Sequence, residues 1–333
     1  MISRILLVVA VLVAGCSGTN VPVPDRPANG WWRPHPGVRW QYQLVPTTRT
    51  GPGIVNGINL RPDEVCTPPP KGAGPVCPDV YGIDLWVDSQ VTGSATDVVN
   101  TEAVKAIHSL SAHAICYFSG GTLEAWRPDA RKILDWDAAH PEAHLVSKAL
   151  APPYDNERWF NVKPGAGRLE FLTEIMAARM KLCADNGFDA VDPDWPDAWL
   201  HNSEAGWSEP VTAADQLGYN RMLAGAAHRL GLGIVLKNDS KQAPDLVGDF
   251  DLAVIEDCQW TGADIQPCDP LTAFTAAGKP VLHVEYLESD EDPPERNPLG
   301  TPAAICAAAT PGFDTIVKKA SKTLNDLPWT PCR

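Results

Sequence analysis

Three carboxylates crowd one short stretch, Asp192, Asp194 and Asp197, with Trp195 and Trp199 set among them. Alternate residues of a strand point to the same side, so Asp192 and Asp194 should leave the end of an apolar strand together. Acids beside flat indole rings are what a sugar-cleaving site needs. One carboxyl gives a proton, another attacks or activates water, and the rings cover the C–H face of the sugar. A solvated acidic turn has the same composition, so the stretch gains weight only if other polar groups converge on it.

Convergence requires elements to carry those groups. Apolar runs recur at 83–87, 113–118, 158–162, 188–192, 233–237, 252–256, 281–285 and 313–317, and an alternating run at 40–44 reads as a further strand ahead of them. Amphipathic helical stretches fall between them at 102–111, 169–186, 212–230 and 271–277. Two of these close on Gly187 and Gly231, as helix stops do, and Thr212 is a good N-cap for the third. Strands this apolar belong to a parallel sheet covered on both faces. Their number and the chain length predict an α/β fold, a single-domain (βα)8 TIM barrel over 38–333, and no phosphate-binding glycine motif follows the first run.

Active sites of such barrels collect at the C-terminal rim of the strands. The polar residues at those ends are Asp84 and Asp88, Tyr117 and Ser119, Asn161 or Lys163, Asp192 and Asp194, then Lys237, Asn238 and Asp239. Glu256 and Asp257, then His283, Glu285 and Tyr286, and finally Lys318 complete the ring. Trp126, Trp195, Trp199, Trp260 and Tyr286 are the aromatic candidates for stacking on sugars.

The remainder of the chain bears on where the protein works. Residues 1–15 resemble a leader, with an apolar run too short to span a bilayer permanently, ending in Val13-Ala-Gly-Cys16, which resembles a bacterial lipoprotein cleavage box. On that reading Cys16 bears the lipid, 16–37 is a Pro/Gly-rich tether, and the protein is extracytoplasmic, touching the membrane through its lipid alone; the alternative is an ordinary secretory leader and a secreted protein, exported either way. Removing Cys16 from nine cysteines leaves eight, as a disulfide framework in an exported protein requires. Cys66 and Cys77, and Cys258 and Cys268, each bracket a short loop; Cys116 with Cys183 and Cys306 with Cys332 are further candidate pairs, and the sequence leaves the connectivity open. No zinc-type spacing is present, and Pro141 interrupts the pair His140 and His144, so neither a metal nor an organic cofactor is expected. A formal net charge of −14 argues against nucleic acid and suits a cationic partner or solubility alone. A monomer is expected.

Six blocks of this sequence, in order, resemble glycoside hydrolase family 114, the endo-α-1,4-polygalactosaminidase group, whose fold is a (βα)8 barrel. They are 115–129, Gly187-Phe-Asp-Ala-Val-Asp-Pro-Asp194, 214–220, Gly233-Ile-Val-Leu-Lys-Asn-Asp239, Glu256-Asp-Cys258 and 278–286. The resemblance implies two catalytic acids: the third residue of the family's Glu-Pro-Asp-Asn falls on Asp194, and the acid of its Asn-Glu-Gln-Cys on Glu256. Asp84, Tyr117, Lys237, Asn238 and Glu285 fall on positions that look pocket-lining in the family, and Asp192, Trp195 and Tyr286 join them as substrate-binding candidates here. The chain departs from the pattern at Asp192 (usually Glu), Trp195 (usually Asn) and Ile255 (usually Asn).

The expected activity is hydrolysis of an α-1,4-linked galactosamine-type polysaccharide by two carboxylates with retention, Asp194 as nucleophile and Glu256 as acid and base, roles that sequence alone leaves exchangeable. The competing expectation is a surface lipoprotein that binds polysaccharide in the same cleft without cutting it, which the departures at Asp192 and Trp195 permit. An enzyme acting on another α-linked glycan is a third.

Overall fold

A computed structural model describes residues 30–67, 76–88, 98–260, 266–290 and 293–332. The leader, Cys16 and the first part of the tether lie outside the described residues. The main sheet has eight parallel strands in sequential order: β1 (Trp40–Gln43), β2 (Val80–Asp84), β3 (His113–Ser119), β4 (Ala190–Asp194), β5 (Gly233–Lys237), β6 (Leu252–Glu256), β7 (Val281–Tyr286) and β8 (Asp314–Lys318). A ninth, short strand, Thr330–Pro331, runs antiparallel along β8. This is the α/β, TIM-like curl that the alternation of apolar runs and helices predicts.

Side-chain parity divides the core in two. Trp40, Tyr42, Val80, Ile115, Ala190, Val235, Val254, Leu282, Val284 and Ile316 pack into the interior of the curl. Their neighbours along the strands, among them Tyr81, Cys116, Val191, Ile234, Ala253 and Val281, face the helices. The helices that cover the sheet include Thr101–Ser109, Ala130–Ala139, Arg168–Asp185, Ala213–Arg229 and Pro302–Ala308. Ala213–Arg229 starts on a full capping box, Thr212 accepting from the Asp215 N–H and the Asp215 carboxylate accepting from the Thr212 N–H.

Eight strands are present, but one of the expected eight is replaced. The run at 158–162 lies outside the main sheet: Glu157–Trp159 pairs antiparallel with Thr122–Glu124 in a flanking ribbon. Its place is taken by Trp40–Gln43, whose four residues are all buried, Gln41 and Gln43 included. The alternation of that run was real. Its polar positions are buried because they bond within the protein, Gln41 to the Asp326 carbonyl and Gln43 to the Gly57 carbonyl.

The curl closes without a ladder between β1 and β8 among the described residues. The Trp40 indole donates to the Asp314 carbonyl at 2.7 Å, and the Trp329 indole to the Trp40 carbonyl at 2.9 Å. The N–H groups of Leu44 and Val45 both donate to the Leu324 carbonyl. The C-terminal segment thus plugs the seam. At the opposite end, residues 30–37, expected within a loose tether, pack on the barrel: Trp31 stacks on His228 and donates to Asp251, and Trp32 stacks on His113.

Four disulfides join Cys66 to Cys77, Cys116 to Cys183, Cys258 to Cys268 and Cys306 to Cys332. Such a set belongs to an oxidising, extracytoplasmic setting. No helix among the described residues is long and apolar enough to cross a membrane.

Candidate active site

The ladder between β4 and β5 stops early, pairing only Ala190 with Gly233 and Val191 with Ile234. Pro193, which has no N–H to offer, falls beyond the last paired residue, so its presence in a barrel strand leaves no β5 acceptor unmet. On the other side β4 stays paired with β3 as far as Asp194. The strand ends then turn sharply. Trp195 (φ 60°), Asn238 (φ 51°) and Asp257 (φ 56°), the residues directly after β4, β5 and β6, all occupy the left-handed region. Left-handed backbone at three adjacent strand ends, none of them glycine, is the local strain that functional rims accumulate.

The inward positions of these strands bring the two acids to one cation. Lys237, almost fully buried, places Nζ 2.8 Å from Asp194 Oδ1 and 2.8 Å from Glu256 Oε1. Asp194 also accepts from the Tyr117 hydroxyl at 2.7 Å and from the Trp195 N–H at 2.8 Å. Glu256 accepts from the Tyr286 hydroxyl at 2.6 Å, and its own N–H donates to Asn238 Oδ1 at 3.1 Å. Burial pulls the Lys237 ammonium toward a lower pKa, but Asp194, Glu256 and Asp192 together outweigh it and hold the group well above its ordinary value. Tyr117 and Tyr286 are pushed well above the phenol range by burial and by the acids they touch, so both stay protonated donors.

Both acids open onto a cleft of about 210 Å³, bordered by Leu44, Tyr117, Tyr154, Glu157, Trp195 and Lys237, with Asn238, Ser321 and Leu324 completing the wall. Asp192 lies beneath this cleft rather than on its wall. It is 1% exposed, accepts from the Tyr42 hydroxyl at 3.1 Å, and its other oxygen has no partner. Burial pushes its carboxyl up to about 7; Lys237 opposes that, while Asp194 and Glu256 add to it.

Besides Asp192, three expected lining residues are absent from the cleft wall: Tyr286, buried behind Glu256, and Glu285 and Asp84. Glu285 is fully buried on the helix side of β7, where it takes hydrogen bonds from Gln259 N–H and His283. Strand alternation separates it from Tyr286, which faces inward. Asp84 faces inward but is clasped at both oxygens by Arg127, at 2.9 and 2.7 Å, in a neighbouring hollow. Asn161 and Lys163 sit away from the acids because their strand is absent from the barrel, and Lys318 is covered by the tail, its ammonium donating to the Asn325 carbonyl and drawn down to about 7 by burial. Asp197, Trp199 and Asp239 form a supporting layer, with the Trp199 indole and Asn220 amide donating to Asp239 at 2.9 Å each. Of the tryptophans offered for stacking, Trp195 borders the cleft, braced edge-on by Trp159 and Tyr154.

Sequence reasoning missed Tyr42, Tyr154, Glu157 and the two tail residues. Tyr42 was within reach, since it stands at the inward parity of an alternating run. Glu157, buried and accepting from Thr122 Oγ1 at 2.7 Å, belongs to the ribbon misread as a barrel strand; burial and the nearby Glu124 push its carboxyl up to about 8. The one close trio of metal-ligating types among the described residues, Cys258, Cys268 and His283, includes a disulfide and so offers no thiolate.

A profile of glycoside-hydrolase family GH114 matches residues 22–329, nearly the whole chain. The chain belongs to family GH114. Among solved structures it is similar to Aspergillus fumigatus Ega3, described in complex with galactosamine, at 25% identity and a TM-score of 0.62 over 89% of this chain and 95% of that one. The glycoside hydrolase domain of PelA from Pseudomonas aeruginosa has the same fold, at 16% identity and a TM-score of 0.50 over 89% of this chain and 98% of that one. A search of curated proteins returned no match. Membership places the protein among glycoside hydrolases; Asp194 on β4 and Glu256 on β6 are the two acids that its rim brings together on Lys237.

Proposed function

We propose that this GH114 protein is an extracytoplasmic, lipid-tethered, retaining hydrolase of an α-1,4-linked galactosamine-type polysaccharide. One observation carries the mechanism: a single buried ammonium, Lys237, bridges Asp194 and Glu256 at 2.8 Å each. The bridged oxygens therefore lie no farther apart than twice that distance. Facing oxygens this near suit the close pair of a retaining site, about 5–5.5 Å between carboxyl groups, better than the spacing of about 6.5–9.5 Å in an inverting one.

Retention needs one member of the pair as the carboxylate and the other as the carboxylic acid. Asp194, with three donors on it, is the better-supported anion and the proposed nucleophile. Its oxygen bonds to the anomeric carbon as the glycosidic C–O bond breaks, and Glu256 gives its proton to the departing oxygen. Glu256 then takes a proton from water as that water attacks the anomeric carbon and frees Asp194. The aminosugar specificity rests on the family, on the likeness to Ega3, and on a net charge of −14, which draws a cationic polymer toward the cleft. The tether is proposed to start at lipidated Cys16.

The test is release of reducing ends from α-1,4-galactosamine polymer. Wild type should release them, and Asp194→Asn and Glu256→Gln should each lower the rate by about 10²–10⁴. Polymer binding by wild type with no reducing ends would instead establish the non-cutting lipoprotein, and activity only on another α-linked glycan would overturn the substrate. Labelled palmitate incorporated by wild type and lost in Cys16→Ala would support the anchor.

A further inference from the structure

The catalytic cleft has a neighbour across one of its walls. Leu44, which borders it, also borders a second hollow of about 320 Å³ walled by Asp84, Trp86, Trp126 and Arg127. That hollow in turn shares Pro46, Asn56 and Asp88 with a third, of about 360 Å³, on the 45–57 loop. The three are consecutive along the β1–β2 side of the rim. A single sugar at the acids needs only the first.

The middle hollow is furnished unlike a gap left by imperfect packing. Trp126 is 44% exposed, whereas Trp40 and Trp159 are buried to 1% or less, so its ring presents open apolar surface at the edge of the groove. Beside it Arg127 is held by two carboxylates, Asp84 at 2.7 Å and Glu124 at 2.7 Å, and lies 4.8 Å over the Trp86 ring and 5.8 Å from the centre of the Trp126 ring. Two carboxylates on one guanidinium leave a fixed excess of one negative charge beside the exposed indole. An aromatic plane next to fixed negative charge suits a protonated aminosugar, whose C–H face stacks while its ammonium meets the field.

We infer that the polysaccharide continues from the acids along this trough, with Trp126 as the platform for a sugar remote from the scissile bond and the Asp84–Arg127–Glu124 cluster as its counter-charge. This inference rests on the proposed galactosamine specificity and adds to it the path of the chain. Remote binding of this kind makes the enzyme select long chains and cut within them.

The experiment measures kcat/KM for α-1,4-galactosamine oligomers of increasing length, and the readout is the ratio between the longest and the shortest oligomer cleaved. In wild type the ratio is well above one. In Trp126→Ala it falls about tenfold, through KM of the long oligomers, and Trp126→Phe retains most of it. Leu134→Ala, at a residue 38% exposed on helix Ala130–Ala139 that lines none of the three hollows, serves as the control and leaves the ratio unaltered. An unchanged ratio in Trp126→Ala, or a length-independent wild type, overturns the trough while the active-site reading stands. A wild type that cleaves no galactosamine oligomer or polymer overturns the substrate reading and the trough with it.

Discussion

Asp192 shows how much of the site's electrostatics is decided by one carboxyl that lies beneath the cleft rather than on its wall. It sits below Asp194 and Glu256, satisfied at one oxygen by Tyr42 and without a partner at the other. Burial raises its folded pKa to about 7, above the ordinary Asp value near 3.9. A folded pKa above the unfolded one means that the native state binds more protons between those values, so this group's contribution to stability is full below about pH 4 and is lost as pH rises through 7. Asp192→Asn keeps an acceptor for Tyr42 and abolishes the ionisation. Urea melts should therefore show the variant near wild type at pH 4 and more stable by roughly 2–4 kcal/mol at pH 8. A difference that does not change with pH would mean that Asp192 is already ionised in the native protein throughout.

At the scale of elements, the acids are aimed by backbone that packs on backbone. The N–H groups of Gly120 and Gly121, just past β3, donate to the Asp194 carbonyl at 2.8 and 2.9 Å. A Cβ on Gly121 would fall 1.6 Å from the Trp195 carbonyl oxygen, which cannot retreat without disturbing Asp194, the residue before it and the proposed nucleophile. Gly121→Ala should cost several kcal/mol, about 3 or more, and abolish most activity even in the folded fraction. Gly218→Ala, on the open face of helix Ala213–Arg229, should be neutral or slightly stabilising, read by thermal melts and the reducing-end assay. The same local logic explains what the sequence disclosed. Asp194, Lys237 and Glu256 could be found because each ends a strongly apolar strand, where the inward side chain has only the rim to face. The run at 158–162 was as apolar as a barrel strand, but nothing local distinguishes a strand that joins the main sheet from one that pairs in a side ribbon, and Glu157 was lost with it. Glu285 and Tyr286 were placed together although one step along a strand reverses the face. Arg127, which claims Asp84, lies 43 residues from it, a pairing no local pattern reveals.

Across the whole molecule, the open seam between β1 and β8 makes the C-terminal tail part of the active-site wall. Leu324 accepts from the amides of Leu44 and Val45, and both Leu324 and Ser321 border the cleft, as does Leu44 at the entrance to the trough. The tail is anchored at its far end by Cys306–Cys332, which closes a loop of 26 residues. In the chain-entropy account such a loop is worth roughly 3 kcal/mol. Cys306→Ser with Cys332→Ser should lower stability by about that amount. It should also raise KM for polymer, because freeing the tail unseats residues that touch both the cleft and the trough. Cys66→Ser with Cys77→Ser opens a shorter loop, of 11 residues, whose described residues border neither the cleft nor the trough. Its stability loss should be similar in size, with KM unchanged. If both pairs alter KM alike, the tail acts only through global stability; a rise confined to the Cys306–Cys332 variant would show that the segment sealing the barrel also shapes the surface on which substrate lies.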